Sequence, residues 1–310
     1  MAVCLVTGGA GFVGSHLTQA LVKRGHQVRV LDNLSTGAAK NLTGLIDQIE
    51  IHQADLLDAN AVSAALQGVE WVFHQAALAS VPRSVAEPLE THAACVTATV
   101  QLLHLAVKAG VKRVVYAASS SAYGNQATPV KRETDLPAPL SPYAAAKLAA
   151  EYYCASFYHS YGLETVALRY FNVFGPRQDP SGPYAAVIPI FIKRLLEAKS
   201  PIIYGDGLQT RDFTFVENVV EANLLAATST GAVGRVMNIG NGQSTSLVEL
   251  LASINRALGT NIAAEFQPER TGDVRDSLAD ISLARELLGY VPRVDLEQGL
   301  ARTIAYYKNA

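Results

Sequence analysis

The sequence has only three cysteines among 310 residues, Cys4, Cys95 and Cys154. They are far apart, odd in number and outside any metal-ligand spacing. This excludes a disulfide framework and a cysteine metal site, and it fits buried thiols in a reducing compartment. An excess of charge of one sign is also missing: 25 Lys and Arg stand against 27 Asp and Glu, a formal net charge of -2. Bulk electrostatics therefore favours neither nucleic acid nor an anionic membrane, and any anion site must be built from locally placed groups. No apolar run reaches the roughly 18 residues of a membrane helix, no charged leader precedes Ala2, and there is no internal repeat or low-complexity block. The expectation is a cytoplasmic globular protein with no nucleic-acid partner, no membrane partner and no bound metal.

What the chain does have is apolar content, 49% of residues, enough for the core of one large or two moderate domains. Short runs rich in β-branched residues fall at 3–7, 27–31, 49–53, 71–75, 113–118 and 165–170. Helical stretches are expected between them at 12–24, 58–67, 84–109 and 142–161. Strands alternating with helices predict an α/β fold, a doubly wound parallel sheet covered on both faces. After Asn172 the pattern changes to a Gly- and Pro-rich stretch from Phe174 to Pro183, a loop signal that starts a second, smaller unit. A helix at 217–228 and a strand at 236–239 then return the chain to the first sheet, so both units are discontinuous. The expected division is 1–172 plus 212–240 for the sheet domain, and 173–211 plus 241–310 for the smaller one.

Directly after the first strand comes Thr7-Gly8-Gly9-Ala10-Gly11-Phe12-Val13-Gly14, opening into a helix. Glycines spaced GxxGxxG in a strand-turn-helix context allow a tight turn and close backbone approach, so that free helix N–H groups can face a pyrophosphate. Eighteen residues past Gly14, at the end of the second strand, Asp32 can accept hydrogen bonds from an adenosine ribose diol and would repel a 2'-phosphate. No arginine follows in Asp32-Asn33-Leu34-Ser35-Thr36-Gly37, which favours NAD over NADP. A loop-capping role for Asp32 is the competing reading. Asp55, with Leu56 beside it, and His74-Gln75-Ala76-Ala77 follow the third and fourth strands at carboxyl strand ends, where ligands of such sheets gather. For His74 itself a structural role is preferred to a catalytic one.

Ser119 follows the fifth strand and begins the run Ser119-Ser120-Ser121. Tyr143 opens the next helix behind Ser141-Pro142, and Lys147 lies one turn along on the same face. An ammonium that close favours phenolate and is expected to lower the tyrosine pKa toward working pH, making Tyr143 a general base toward a substrate hydroxyl that Ser119 also holds.

Read in order, TGGAGFVG, DNLSTG, SSSAYG, SPYAAAK and RYFNVFG resemble the extended short-chain dehydrogenase/reductase family through essentially the whole chain. The resemblance is to its nucleotide-sugar epimerases of the UDP-galactose/UDP-N-acetylglucosamine 4-epimerase type. It implies a tightly bound NAD and a cycle in which Tyr143 and Ser119 take the C4 hydroxyl proton while hydride leaves C4. The resulting 4-keto sugar turns over in the pocket, and hydride returns to its other face. Ser119 matches the family's catalytic position, with Ser120 and Ser121 next to the sugar; a one-residue loop difference would move the role to either. Phe12, Val13, Asp32, Asn33, Ser35, Thr36, Gly37, Asp55, Leu56, Gln75, Ala76 and Ala77 join the turn glycines, Tyr143 and Lys147 as the implied cofactor contacts.

Arg211 and Arg275 carry guanidinium forks suited to a diphosphate, with surface ion pairs to neighbouring aspartates as the alternative; the resemblance favours phosphate. Asn172 matches a family asparagine that also contacts the diphosphate, and Ala186, Val187 and Tyr204 match stretches near the uridine. Ala79 lies where many UDP-galactose epimerases carry lysine, and Ser277 where epimerases restricted to non-acetylated sugars carry tyrosine. A serine there leaves room for an N-acetyl group, so the expected reaction interconverts UDP-GlcNAc and UDP-GalNAc, with UDP-Glc and UDP-Gal as poorer substrates. Rival readings are a 4,6-dehydratase or glucuronate decarboxylase, which would carry acidic residues where Ser120 and Ser121 stand, a UDP-glucuronate epimerase using Arg83 or Arg177 for the carboxylate, and a non-catalytic dinucleotide sensor. Family members commonly form homodimers through two helices, here 84–109 and 142–161.

Overall fold

The computed structural model describes residues 1–180, 186–269 and 275–309. Seven strands, β1 (Val3–Thr7), β2 (Gln27–Asp32), β3 (Ile49–Gln53), β4 (Trp71–His74), β5 (Arg113–Ser119), β6 (Glu164–Tyr170) and β7 (Val236–Ile239), form one sheet. Its order is β3-β2-β1-β4-β5-β6-β7, and every neighbouring pair is parallel. Alternation along the strands builds a core on each face. Cys4, Val6, Phe73 and Val115 pack with Leu17 and Leu21 of the helix Phe12–Lys23 and with Val219 and Ala226 of Val216–Thr228. Leu5, Val72, Val114 and Tyr116 pack on the other side against Leu102 and Leu103 of Ala98–Ala109 and Phe157 of Pro142–Tyr161. Because both faces are covered, the strands read as nearly continuous apolar runs.

The helix Pro142–Tyr161 has the bounds its sequence predicts. Ser141 caps its first turn by accepting from the Ala144 N–H at 3.2 Å, Pro142 opens it, and Gly162 ends it in the left-handed region at φ 71°. The expected continuous helix over 84–109 is instead broken into Val81–Ala86, Pro88–His92, a π-helical turn Ala93–Thr97 and Ala98–Ala109. Pro88 is the cause of the first break, because it bars its predecessor from the helical region and Glu87 adopts φ -129°, ψ 65°.

The later chain supplies elements that the sequence reading did not assign, including helices Val187–Leu196, Leu247–Leu258 and Leu296–Asn309 around a separate core of Phe174, Phe191, Ile203, Phe215, Leu250 and Ile304. Three small sheets accompany them. The largest joins Thr245–Ser246, Thr210–Arg211, Asp276–Ala279 and Val130–Lys131. The predicted loop from Phe174 is described as far as Pro180; Ser181 to Pro183 lie outside the described residues, as do Gly272 to Val274 ahead of Arg275. Among the described residues no helix is long and apolar enough to cross a membrane.

Candidate active site

The strand order reverses between β1 and β4, and a crevice opens at the carboxyl ends of the strands. It forms a cavity of about 530 Å³. Lining it are Gly8, Gly11, Phe12, Val13 and Gly14 of the first turn, Asp32, Asn33, Ser35, Thr36 and Gly37 after β2, Asp55 and Leu56 after β3, Gln75, Ala76, Ala77 and Ala79 after β4, and Tyr143 with Lys147. Every residue expected to contact the cofactor thus faces one space.

Two glycines are obligatory here. Gly8 has φ 68°, and a Cβ on it would stand 2.7 Å from the Ala76 nitrogen; a Cβ on Gly14 would stand 2.1 Å from the Gly8 carbonyl oxygen. The helix Phe12–Lys23 that follows has no side-chain cap and no acidic residue in its first turn. Its leading N–H groups and the positive end of its dipole therefore remain available to an anion. Asp32 is buried, and its carboxylate accepts from the Ala10 N–H at 2.9 Å and the Leu34 N–H at 2.8 Å. The loop-capping role is thus present, and each oxygen keeps a second lone pair for a diol. Asn33 donates to Asp55 at 2.7 Å, tying the β2 and β3 ends together.

His74 is structural. Thr99 Oγ1 donates to the Cys95 carbonyl at 2.7 Å, so it accepts from His74 Nε2–H at 2.9 Å, and His74 Nδ1 accepts from the Thr7 hydroxyl at 2.7 Å. This network assigns the neutral Nε2–H tautomer. Burial, reinforced by the Lys147 charge, lowers the imidazole pKa to about 3.

The Ser119 and Ser121 hydroxyls are hydrogen-bonded at 2.8 Å, and Ser119 caps the 3₁₀ turn Ser120–Tyr123 by accepting from the Ser121 N–H. Gly124 must follow, since a Cβ there would stand 1.9 Å from the Ala138 carbonyl oxygen. The Tyr143 phenol lies well above its ordinary pKa, raised first by burial and then by the Cys95 thiol, with a hydrogen bond from Ser119 opposing the rise. Ser119 is thus the serine whose hydroxyl bears on the phenol. The lowering expected from Lys147 is not what the protein groups produce. Lys147 Nζ donates to the Ala117 carbonyl at 2.8 Å and lies 5.0 Å from the centroid of the Tyr116 ring, and burial lowers its own pKa. Its ammonium is directed at the end of β5, and desolvation of the phenol dominates.

The residues expected to hold the substrate are more scattered. Arg211 and Ser277 are register partners in the small sheet, with Ser277 buried. Arg211 donates to the carbonyls of Thr210 at 2.8 Å and Arg275 at 3.0 Å. Arg275 is exposed and forks onto Asp206 at 2.9 and 3.2 Å, with Glu269 at 3.7 Å, so the ion-pair alternative is the arrangement this side chain adopts. Asn172 sits at φ 23° between β6 and the strand Val173–Phe174. Ala186 precedes the helix Val187–Leu196, Tyr204 ends the strand Ile202–Tyr204, and Ser120 and Ser121 are half-buried beside Ser119. None of these lines the 530 Å³ cavity. Arg83 and Arg177, the carboxylate partners of the rival reading, are engaged with Glu90 at 2.7 Å and Gln19 at 2.6 Å.

Sequence reasoning missed Ala93, Ala94 and Ala98, which carry the π-helical turn and its exit to the cavity wall, and Tyr170, whose hydroxyl donates to Gln75 Oε1 at 3.2 Å and accepts from Asn223 Nδ2 at 2.8 Å. The small residues flanking Cys95 were the available signal for a helix face that must admit a ligand.

Comparison with known proteins agrees with this geometry. The model of the NAD dependent epimerase/dehydratase family matches residues 4–240. A UDP-glucose 4-epimerase of Mycolicibacterium smegmatis is 42% identical, with 98% of each chain covered. A UDP-glucuronate 4-epimerase of Thermodesulfobacterium geofontis is 32% identical over 99% of this chain and 97% of its own. Among solved structures, the UDP-N-acetylglucosamine 4-epimerase of Methanobrevibacter ruminantium M1, in complex with UDP-N-acetylmuramic acid, superposes with a TM-score of 0.95. It is 42% identical, covering 99% of this chain and 98% of that one. A family model matched over residues 4–240 and relatives similar along nearly the whole chain have one consequence: the chain belongs to the NAD dependent epimerase/dehydratase family.

Proposed function

We propose that this protein is a UDP-hexose 4-epimerase with tightly held NAD that interconverts UDP-GlcNAc and UDP-GalNAc, and UDP-Glc and UDP-Gal less well. The observation that carries this reading is that Tyr143 and Lys147 line the same cavity as the glycine turn, at the carboxyl end of the strand that Ser119 ends. The cavity fits NAD: Gly8 and Gly14 let the turn pack tightly where any Cβ would strike neighbouring backbone, the helix N-terminus carries no cap, and Asp32 keeps lone pairs for a ribose. NAD, when bound, supplies the hydride acceptor and donor for the sugar carbon. The protein groups do the rest. Ser119 holds the C4 hydroxyl, and Tyr143 takes its proton and later returns it. Burial raises the phenol pKa and the Lys147 ammonium is turned to the Ala117 carbonyl, so Tyr143 needs further positive charge in the cavity to act as a base. The uncapped helix N-terminus, Arg211 of the small sheet and Arg275 just before its strand Asp276–Ala279 hold the two diphosphates, so that the sugar can turn while its nucleotide stays anchored.

The preference for acetylated sugars rests on Ser277, where a tyrosine would fill the space beside Arg211, and on the small Ala79 at the cavity rim. It accords with the substrate in the name of the Methanobrevibacter relative. A glucuronate substrate is the second reading, favoured by the Thermodesulfobacterium relative and opposed by the engagement of Arg83 and Arg177 elsewhere. The cofactor unit is taken as 1–172 plus 212–240, and the sugar unit as 173–211 plus 241–310. A homodimer is supported by exposed apolar side chains on the two expected helical segments, Val85 (65%), Leu89 (85%) and Tyr152 (58%). The three free, buried cysteines accord with a cytoplasmic setting.

Incubating the purified protein separately with UDP-GlcNAc, UDP-Glc and UDP-glucuronate, without added NAD, tests the reading. UDP-GalNAc should form fastest; no conversion of any of the three would refute it.

A further inference from the structure

We infer that the buried ion pair between Glu151 and Arg169 is a positioning device that locks the helix carrying Tyr143 to the turn carrying Ser119, so that both side chains meet the same hydroxyl. The inference rests on the epimerase reading for its kinetic consequence, and on geometry for the rest. Glu151 lies one turn beyond Lys147 and two beyond Tyr143 on the helix Pro142–Tyr161. Its carboxylate accepts both arms of the Arg169 fork, at 2.6 and 2.9 Å, with the side chains only 3% and 4% exposed. Arg169 stands in β6 between Ala118 of β5 and Asn238 of β7.

The guanidinium lies 4.6 Å from the centroid of the Tyr123 ring, the last residue of the Ser120–Tyr123 turn. The Tyr123 hydroxyl donates to Asn238 Oδ1 at 2.6 Å, and Asn238 in turn donates to the Lys131 carbonyl at 2.9 Å. A continuous buried path thus runs from the Tyr143 helix through Glu151, Arg169 and Tyr123 to the turn that Ser119 caps.

Stability alone does not explain the pair. Taking two charges out of water is unfavourable enough that apolar residues of similar size often serve a fold as well or better. Here one guanidinium nitrogen, Arg169 Nη1, is also buried without a hydrogen-bond partner among the described residues. What the pair offers and apolar packing does not is direction. A bidentate fork fixes the guanidinium plane, and the guanidinium in turn holds the Tyr123 ring, whose centroid is 4.6 Å away. Proton transfer needs that precision, because a displacement of about 1 Å in a reacting group can cost about 10²-fold in rate.

The discriminating variant removes both charges at once, Arg169→Met with Glu151→Leu. The double variant is expected to melt at or above the wild-type temperature, while kcat falls at least about tenfold and KM for the UDP-hexose stays within about twofold. Wild-type kcat in a folded double variant would overturn the inference.

A readout free of turnover separates this from failure of the epimerase reading. With tyrosine labelled at Cζ, the Tyr143 resonance in the double variant should move as it does in Ser119→Ala, because both lose the Ser119 contact. An unmoved resonance would overturn the inference whatever reaction the enzyme performs. Should the double variant not fold, Tyr123→Phe keeps the ring beside Arg169 and removes the hydroxyl that bonds Asn238. It should displace the same resonance in the same direction, and no displacement would count equally against the device.

Discussion

The cofactor side of the site and the sugar side are built by different means. Around the glycine turn, recognition is written in the backbone. Gly8 and Gly14 admit no Cβ, the helix behind them has no cap, and Asp32 is held by two backbone N–H groups. On the sugar side, the expected contacts are side chains from separate short strands, turns and a helix start, and Arg275 is paired with Asp206 instead of facing the cavity. A backbone cradle is as rigid as the sheet that carries it, whereas guanidinium groups on a small sheet adapt to what they bind. That division suits a reaction in which one ligand stays and the other must turn over and leave.

The comparison breaks most visibly at the turn. Gly14→Ala puts a methyl 2.1 Å from the Gly8 carbonyl oxygen and cannot be relieved by a rotamer change. The variant should purify without bound NAD and show no turnover, as measured by nucleotide released on denaturation; a full complement of NAD would mean that the turn is not a rigid cradle. A smaller and selective effect is expected from Ser277→Tyr. It should reduce kcat/KM for UDP-GlcNAc by about 10- to 200-fold, the range of steric discrimination by a pocket wall, while UDP-Glc turnover persists. Equal loss of both would remove Ser277 as the gate. The smallest effect belongs to Asp206→Asn. Releasing Arg275 from an exposed ion pair should tighten UDP-sugar binding by a few-fold at low salt, with kcat unchanged. Unchanged or weaker binding would show that Arg275 does not serve the diphosphate.

The same division explains what was legible in the sequence. Strand bounds such as Val3–Thr7 and Ile49–Gln53 follow from apolar runs between turn residues, and the helix Pro142–Tyr161 from a Ser-Pro start and a glycine stop. The residues that line the cavity were readable because they sit at fixed offsets from these strand ends. Pro88 was visible and should have broken the helix drawn over 84–109; the π-helical turn after it has no comparable one-residue signature. On the sugar side, strands of two to four residues come together from distant segments, as when Val130–Lys131 pairs with Asp276–Ala279, and no periodicity announces them. Nor could spacing reveal that Lys147, one turn from Tyr143, directs its ammonium at the Ala117 carbonyl, or that Glu151 one turn further is buried on Arg169.

The central claim is that Tyr143 moves the proton inside a cavity that the backbone alone keeps ready for NAD. Its most direct test is Tyr143→Phe, with turnover of UDP-GlcNAc and bound NAD measured on one preparation. Turnover should fall by about 10²- to 10⁴-fold while NAD content and melting temperature stay at wild-type values. Turnover within a few-fold of wild type, with NAD still bound, would contradict the account.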